Sequence, residues 1–551
     1  MNLRAYLQSP RSAQHALLLL VGALHSLSFA PGPLPTWALP YVQIGCLAYL
    51  AKLTLQSESG RQVALGAWLF GFANFAVGLY WVTISMHEFG GMPLVMAIAA
   101  LLIFAAALSL YGTLACFLAW RLLRPRVRFD PGVVIWISAV WAACWTFGEW
   151  LRGTLFTGFP WLNIAYAQVE GVYAPWAAVL GVYGVTWLSA FASAAVGLAI
   201  LGRRSGREVQ AAVGIAISLL LGVAGIALSH AAWSGPFGDP ILVRLVQGNI
   251  PQSQKFDPAL IERGIADYVM MARLAPKDGG RDPDLIVLPE TVVPLLQHRV
   301  QPQVWQSWID VARERQSTLL MGVPLFDRLD GRNRYTNSTI VVSPESQVDA
   351  IVRADVPRYD KFHLVPFGEF IPSGFRWFVD MMDIPLGDFD RGALGQTALP
   401  IAGQRVAPNI CYEDVFGEEI IQSVQGDVDE GGASILVNVS NLAWFGNSWA
   451  LRQHLQIARM RSIETARPML RATNTGMTAA ISPTGLVWAA LDPHVKGVLD
   501  VEVQGTAGLT PYAQWSNWPV VTLSLLLLAT AMLPVRKSAS NAADSTGLEN
   551  K

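Results

Sequence analysis

Eight long stretches of apolar residues interrupt the chain, and seven of them lie within its first 235 residues. Each approaches or exceeds the roughly 20 residues that a helix needs to cross the hydrocarbon core of a membrane. Short segments rich in Pro, Gly or Arg separate the stretches. The pattern therefore predicts a multi-pass α-helical membrane domain with eight spans. The predicted spans cover about residues 12–30, 38–55, 63–86, 92–121, 132–150, 174–201, 211–233 and 518–535.

The region between the seventh and eighth predicted spans has a different pattern. Short β-rich runs alternate there with helical stretches, which is typical of an α/β domain built in layers. The strand candidates are 241–246, 285–288, 318–323, 338–342, 406–410, 434–439 and 477–482, and the helix candidates are 258–275, 302–316, 414–425 and 448–467. The predicted parts are thus a membrane domain at 1–235, a globular domain at 236–517, an eighth span at 518–535 and a disordered, cytoplasmic tail at 536–551.

The distribution of charge separates the same two parts. The 551 residues carry a net charge of −1 and only 14% are charged, whereas soluble proteins average about 25%. The first 235 residues hold 12 basic and 6 acidic side chains, but residues 236–517 hold 24 basic and 32 acidic ones. This composition excludes a disordered chain and a disulfide-rich scaffold. It also argues against a nucleic-acid-binding protein, which needs a large basic surface.

The few basic residues of the apolar part predict its orientation in a membrane. Loops rich in Lys and Arg stay in the cytoplasm, and with eight spans every basic cluster falls on one side. Arg152 is the one basic residue in the alternate loops. We therefore expect a cell inner-membrane protein with both termini in the cytoplasm and residues 236–517 in the periplasm. The clusters are Arg4 and Arg11, Lys52 and Arg61, Arg121 to Arg128, Arg203 to Arg207, and Arg536 with Lys537.

Two of three candidate catalytic residues follow predicted strands, where active-site groups of α/β domains collect, and the third, a lysine, precedes an apolar turn. The three are Glu290, Lys361 and Cys411. A cysteine thiol of pKa about 8.5 must be activated before it can act as a nucleophile. A carboxylate can accept its proton, and a lysine can stabilise the thiolate and then the oxyanion of a tetrahedral intermediate. Taken singly, the three are more simply explained as an ion-paired acid, a solvated lysine and a buried structural thiol.

The order and the surroundings of these three residues are similar to those of the nitrilase superfamily, with Leu-Pro-Glu at Glu290 and Cys-Tyr-Glu at Cys411. More narrowly, residues 10–535 resemble the bacterial apolipoprotein N-acyltransferases. The resemblance implies an αββα sandwich on the periplasmic side, between the last two of eight spans, with a Glu–Lys–Cys triad that forms acyl-enzyme thioesters. The matching stretches are 247–253, 363–369, 410–414, 438–441, 443–446 and 458–461, and in the membrane domain 149–153 and 157–161.

Carried over residue by residue, the resemblance assigns a role to each member of the triad. Glu290 is implied as the general base, Lys361 as the oxyanion-stabilising partner and Cys411 as the nucleophile. The two nearby glutamates of the family pattern are equally consistent with structural ion pairing. The residues that the resemblance implies in supporting roles are Glu369, Tyr412 and Glu413.

Five further residues are candidates for substrate binding, because they are aromatic or are ionisable groups at a membrane border. Packing and ion pairing are the competing explanations. The chain departs from the family pattern at Leu442, where an Asp is expected, and at Phe256, where a Trp is common; neither belongs to the triad. Histidines at ligand spacing are lacking, so we predict no metal and no cofactor. The substrate-binding candidates are Phe256, Trp444, Phe445, Glu149 and Arg152.

The resemblance implies the transfer of a fatty acyl chain from a membrane phospholipid, through a thioester on Cys411, to an apolipoprotein. The acceptor is the free α-amino group of its N-terminal diacylglyceryl-cysteine. The predicted partners are thus a phospholipid, a diacylated apolipoprotein and the bilayer, with no nucleic acid. Two alternatives stay open: a membrane-anchored nitrilase-like amidase that uses water as the acceptor, and a non-catalytic lipid-binding or transport membrane protein.

Overall fold

The computed structural model describes residues 10–29, 33–276, 279–371, 374, 376, 388–425 and 432–533. The tail predicted to be disordered, 536–551, lies outside these residues, as do Arg4, Arg536 and Lys537. The first 230 residues are dominated by long helices that pack around a common apolar core. These helices are α1 Pro10–Ser26, α2 Leu39–Gln56, α3 Gly60–Gly78, α4 Leu94–Leu123, α5 Pro131–Thr154, α6 Ala177–Arg204 and α7 Val213–Leu228.

The prediction of a multi-pass helical membrane domain is confirmed, but not its count of eight spans. Among the described residues, six helical segments are long and apolar enough to cross a membrane. A bent pair, Gly60–Gly78 with Val82–Phe89, makes seven if it counts as one span. The eighth predicted span forms a helix of only 15 residues, Trp518–Met532. The six segments are Ser12–Phe29, Thr36–Gln56, Leu94–Arg126, Pro131–Thr157, Ala174–Arg204 and Glu208–Leu228.

The helix predicted over 63–86 is not continuous, because the chain bends by 57° after Gly78. Side chains replace the lost helical hydrogen bonds at this point. Trp81 Nε1 and Gln453 Nε2 donate to the Gly78 carbonyl at 3.2 and 3.1 Å. Insertion of such groups into the backbone ladder is a common cause of sharp kinks. Gln453 belongs to the globular domain, so the bend depends on contact between the two domains.

The globular domain contains two facing six-stranded sheets. The strands are β1 Gly235–Pro236, β2 Ile241–Gln247, β3 Leu285–Val287, β4 Thr318–Leu329, β5 Arg332–Val342, β6 Arg358–Asp360, β7 Leu399–Ile401, β8 Gln404–Ile410, β9 Ile435–Ser440, β10 Met469–Thr473, β11 Ala479–Ile481, β12 Val487–Ala490, β13 Gly497–Val503 and β14 Thr506–Ala507. One sheet has the strand order β13-β2-β3-β4-β5-β6 and the other β12-β11-β10-β9-β8-β7, while β1 pairs with β14. An apolar layer that includes Val243 and Val437 fills the space between the sheets.

Helices cover the outer faces of both sheets, which completes the four layers of the predicted αββα sandwich. Helices α8 Ile261–Ala272 and α9 Pro302–Arg315 pack on the first sheet. Helix α10 Trp449–Thr465 packs on the second sheet through Ala458. Its opposite face joins the apolar core of the membrane domain. Helix α10 is therefore one of the elements through which the two domains meet, and α11 Trp518–Met532 then packs along α5.

The prediction of one continuous helix over 414–425 is wrong. The segment instead forms a 3₁₀ turn at Cys411–Val415, a four-residue helix at Gly417–Ile420 and another 3₁₀ turn at Ile421–Ser423. Phe416 interrupts it with a non-helical backbone (φ −106°, ψ 85°). Cys411 is accordingly followed by a single short turn, whose positive end is weaker than that of a long helix.

Candidate active site

The three predicted catalytic residues lie at or just beyond the carboxyl ends of three strands. Glu290 follows β3, Lys361 directly follows β6 and Cys411 directly follows β8. The first two strands belong to one sheet and β8 belongs to the facing sheet. The packing of the two sheets therefore brings side chains that are far apart in sequence to one end of the sandwich.

Lys361 is fully buried between two carboxylates. Its Nζ lies 2.8 Å from Glu369 Oε2 and 3.7 Å from Glu290 Oε1. Burial alone would lower the pKa of Lys361, but the carboxylates of Glu369 and Glu290 outweigh it and raise this pKa above its usual range. Lys361 is thus a cation at neutral pH, held where it can stabilise negative charge.

Asn337 of β5 links the two carboxylates. Its Nδ2 donates to Glu290 Oε1 at 2.8 Å and to Glu369 Oε1 at 2.7 Å. The second oxygen of Glu290 accepts the backbone N–H of Asn441 at 2.9 Å. Both oxygens of Glu290 are therefore positioned by neutral donors, and Lys361 supplies the adjacent positive charge.

A second buried lysine supports the backbone of Glu290. Lys255 Nζ donates to the Glu290 carbonyl at 2.9 Å. Burial lowers the pKa of Lys255 to about 8. Lys255, Asn337 and Asn441 were not singled out as site residues from the sequence. The polar run Thr336, Asn337, Ser338, close to the apolar end of β5, was the available signal for Asn337, because buried polar side chains need partners.

Cys411 has a left-handed backbone conformation, with φ of 53°. Its carbonyl oxygen is close to two side-chain nitrogens, His454 Nε2 at 3.2 Å and Asn438 Nδ2 at 3.3 Å. Burial, together with the Glu290 carboxylate, raises the pKa of the Cys411 thiol, while Lys361 opposes this. The thiol is therefore protonated at rest and needs a base at the moment of attack.

Glu413 ties the Cys411 turn to the Lys361 loop. Its carboxylate accepts the backbone N–H groups of Ile410 at 2.6 Å and Phe362 at 2.8 Å, and the Tyr359 hydroxyl at 2.9 Å. Burial raises the pKa of Glu413 to about 7, in spite of these donors and of Lys361. These contacts hold the backbone on both sides of the site in place, which is consistent with the supporting role predicted for Glu413.

Tyr412 connects the nucleophile turn to the membrane domain. Its hydroxyl donates to the Gly158 carbonyl at 3.1 Å, and its ring lies parallel to that of Trp161 with centroids 6.4 Å apart. Arg152 donates to the Trp161 carbonyl at 2.7 Å and pairs with Glu149. Glu149 and Arg152 are both buried, and these contacts make them the support of the 155–163 loop. Their predicted role in substrate binding stays a prediction.

The aromatic candidates form a half-buried patch beside the bend of the third span. The Trp444 ring lies 6.3 Å from that of Phe256 and 5.9 Å from that of Phe89. Phe445 packs edge-on against Trp81, with ring centroids 4.5 Å apart. Both domains contribute to this patch. Leu442, in contrast, is buried.

Gly322 of β4 gives Glu290 its space. A Cβ at this position would lie 2.6 Å from the Glu290 Cα and 2.5 Å from the Thr291 nitrogen.

Gly322→Ala is therefore expected to displace Glu290 and to lower kcat about 10- to 100-fold, since misplacement by ~1 Å can cost that much. The KM should change little. Gly235→Ala is the control, because a Cβ at Gly235 meets nothing within 4 Å. Activity of Gly322→Ala within twofold of the unmodified protein would contradict this placement.

Within the described part of the chain, no group of three or more His, Cys, Asp or Glu side chains is placed to hold a metal ion. The chemistry available at the site is that of a thiol, a carboxylate, a buried ammonium and backbone N–H donors. This set can form and break a thioester without a bound cofactor.

Comparison with known proteins covers both domains. The apolipoprotein N-acyltransferase N-terminal domain matches residues 21–195, and the carbon-nitrogen hydrolase family matches residues 242–512. The apolipoprotein N-acyltransferase of Bordetella bronchiseptica is 50% identical over 536 residues, or 95% of this chain and 97% of its own. The apolipoprotein N-acyltransferase of Ralstonia nicotianae is 44% identical over 522 residues, which are 95% of this chain and 94% of its own.

Solved structures that are similar to this chain include amidases that align with about half of it. An amidase from Nesterenkonia sp. aligns with 51% of this chain and 94% of its own, at 15% identity and a TM-score of 0.35. The full-length relatives instead extend across membrane and globular domains alike. The chain therefore belongs to the apolipoprotein N-acyltransferase family, and it is a multi-pass inner-membrane enzyme that N-acylates lipoproteins.

Proposed function

We propose that Cys411, Glu290 and Lys361 carry out this reaction as a two-step acyl transfer through a thioester. The observation that carries the proposal is the fully buried Lys361 ammonium, which lies 3.7 Å from the Glu290 carboxylate. The positive charge of Lys361 also lowers the pKa of the Cys411 thiol, against the effect of burial. A base, a cation and a nucleophile thus meet at one end of the sandwich. Glu369 and Glu413 position the cation and the nucleophile turn.

In the first step, Cys411 Sγ attacks the ester carbonyl carbon of a membrane phospholipid while Glu290 accepts the thiol proton. Lys361 and a backbone N–H near Tyr412 stabilise the oxyanion that forms. When the C–O bond breaks, Glu290 returns the proton to the leaving alkoxide. The products are a lysophospholipid and an acyl thioester on Cys411.

In the second step, the free α-amino group of a diacylated apolipoprotein attacks the thioester carbonyl. Glu290 accepts a proton from the attacking nitrogen, and Lys361 again stabilises the oxyanion. The C–S bond then breaks, and the thiolate of Cys411 regains its proton from Glu290. The product is an N-acylated lipoprotein. The aromatic patch of Phe256, Trp444 and Phe445 is suited to contact acyl chains and to keep water from the thioester.

We further propose that α11 completes eight spans and that the globular domain lies in the periplasm. At its carboxyl end α11 receives hydrogen bonds from Arg126, to the carbonyls of Ala531 and Leu533. Arg126 belongs to an arginine-rich loop, which the positive-inside rule assigns to the cytoplasm. Exposed aromatic residues at the amino ends of α2 and α11 are of the kind found at a membrane–water interface. They are Trp37, Tyr41, Trp515 and Trp518.

Mass spectrometry of the purified protein tests the covalent step. After incubation with a phospholipid of defined acyl chains, the peptide that contains Cys411 is expected to gain the mass of one acyl group. Hydroxylamine should remove this group, because it cleaves thioesters. Addition of a synthetic diacylated lipopeptide should also discharge it, with formation of a triacylated product.

The same experiment separates the alternatives. An amidase-like hydrolase would discharge the acyl group to water as free fatty acid without need of the lipopeptide. A non-catalytic lipid-binding or transport protein would carry no adduct. Absence of the Cys411 adduct, under conditions in which the triacylated product accumulates, would refute the proposed nucleophile.

A further inference from the structure

Helix α10 presents two polar residues in succession, Gln453 and His454, at the meeting point of the two domains. Both are buried. His454 Nδ1 lies 2.9 Å from Arg471 Nη2. An arginine can only donate, so Nδ1 accepts and the imidazole proton resides on Nε2. Burial, with Arg471 adding to it, lowers the pKa of His454 well below its ordinary value, and the ring is neutral.

This assignment makes His454 a hydrogen-bond donor to the nucleophile's own backbone. The Nε2–H group points at the Cys411 carbonyl at 3.2 Å. The other donor to this carbonyl, Asn438 Nδ2, is 3.3 Å away and also bonds to Asn409 Oδ1 at 2.6 Å. A left-handed conformation is unfavourable for a residue with a Cβ and persists only where its surroundings hold it. The two donors are such surroundings for Cys411.

The same two residues of α10 also hold segments of the membrane domain. Gln453 Oε1 accepts the indole N–H groups of Trp161 at 2.8 Å and Trp81 at 3.1 Å. Gln453 Nε2 donates to the Gly78 carbonyl at the bend after α3. The Trp161 ring stacks on the His454 imidazole, with centroids 5.5 Å apart and planes at 25°. One amide thus fixes two membrane-domain tryptophans, and one of these packs on His454.

We propose that Gln453 and His454 are positioning residues that couple the backbone conformation of Cys411 to the position of the membrane domain against the globular domain. His454 holds the Cys411 carbonyl, while Gln453 fixes Trp161 over His454 and Trp81 beside it. The nucleophile is therefore aligned only when both membrane segments are in place. The inference rests on the proposed role of Cys411 as nucleophile.

The first test is the rate of thioester formation in single-turnover mass spectrometry, with phospholipid in detergent micelles. His454→Leu removes the donor, and its rate is expected to fall about 10- to 100-fold at saturating lipid, as expected for loss of one buried hydrogen bond. The KM for phospholipid should stay within about twofold. His454→Gln, whose amide N–H can reach the same carbonyl, is expected to recover most of the rate.

A second test separates alignment from simple destabilisation. Gln453→Leu is expected to slow thioester formation, whereas Gln456→Leu, a buried glutamine of the same helix, should leave the rate unchanged. Equal rates in these two variants would overturn the inference, and so would a His454→Leu rate equal to that of the unmodified protein. If His454→Leu does not fold, the comparison of the two glutamine variants decides. Failure of the unmodified protein to form any thioester would instead refute the proposed nucleophile.

Discussion

Glu290→Gln is expected to lower the rate of thioester formation by about 10³-fold, in the range found for loss of a general base. The reason is the protonated state of the Cys411 thiol, because burial is the largest cause of its raised pKa and the substitution does not remove it. Without a carboxylate to accept the proton, very little thiolate is available to attack the ester. A glutamine fills the same space but can keep only one of the two contacts with the Asn337 and Asn441 donors.

The measurement is the time course of the acylated Cys411 peptide after mixing with phospholipid. Cys411→Ala sets the zero level, because it has no sulfur to acylate. Glu345→Gln, at an exposed position, controls for the removal of one negative charge and is expected to react at the normal rate. A Glu290→Gln rate within tenfold of normal would assign the proton transfer to another group.

The ends of β3 and β8, which precede Glu290 and Cys411, were predictable from the sequence, because both strands end in mostly apolar runs. The short strand β6 before Lys361 was not among the predicted strands. The family pattern then supplied the order of Glu290, Lys361 and Cys411. The partners of these residues were not predictable. Asn337 reaches Glu290 from 47 positions away through the strand order within one sheet, and Asn441 reaches it from 151 positions away through the packing of the two sheets. Local sequence carries no information about such contacts.

The membrane domain shows the same division between local and distant causes. Hydrophobic runs predicted where the helices lie, because the length of an apolar stretch is a local property. The bend after Gly78 was missed, since one donor that stabilises it, Gln453, lies 375 positions away. The break in α6 is similar. Gly181 there has φ of 67°, and the Tyr512 ring occupies the space that a Cβ would need.

At the break in α6, the membrane helix is hydrogen-bonded to one member of a buried ion pair of the globular domain. The freed N–H of Val182 donates to Glu464 Oε1 at 2.7 Å. The other oxygen of Glu464 lies 3.0 Å from Arg461 Nε, and both side chains of this pair are fully buried. The broken end of a membrane helix is therefore satisfied by a carboxylate whose charge depends on one arginine of α10.

Arg461→Met is expected to destabilise the folded protein by about 3–5 kcal/mol, the usual cost of leaving one partner of a buried ion pair alone. The midpoint of thermal unfolding in detergent measures the loss. Arg273→Met is the matched control, because Arg273 pairs with Glu314 at 2.7 Å on the surface, where such pairs contribute about 0–1 kcal/mol. An Arg461→Met midpoint no lower than that of Arg273→Met would contradict the prediction.

The pH dependence of this loss identifies its cause. Burial raises the pKa of Glu464 to about 7 even with Arg461 present, and removal of the arginine raises it further. A carboxyl whose pKa is higher in the folded than in the unfolded state binds more protons when folded, so stability falls as the pH rises through the folded value. Arg461→Met should therefore lose more stability at pH 8 than at pH 6. Adding Glu464→Gln, which keeps an acceptor for the Val182 N–H, should restore most of the stability and remove the extra pH dependence, because no charge is then left unpaired in the interface.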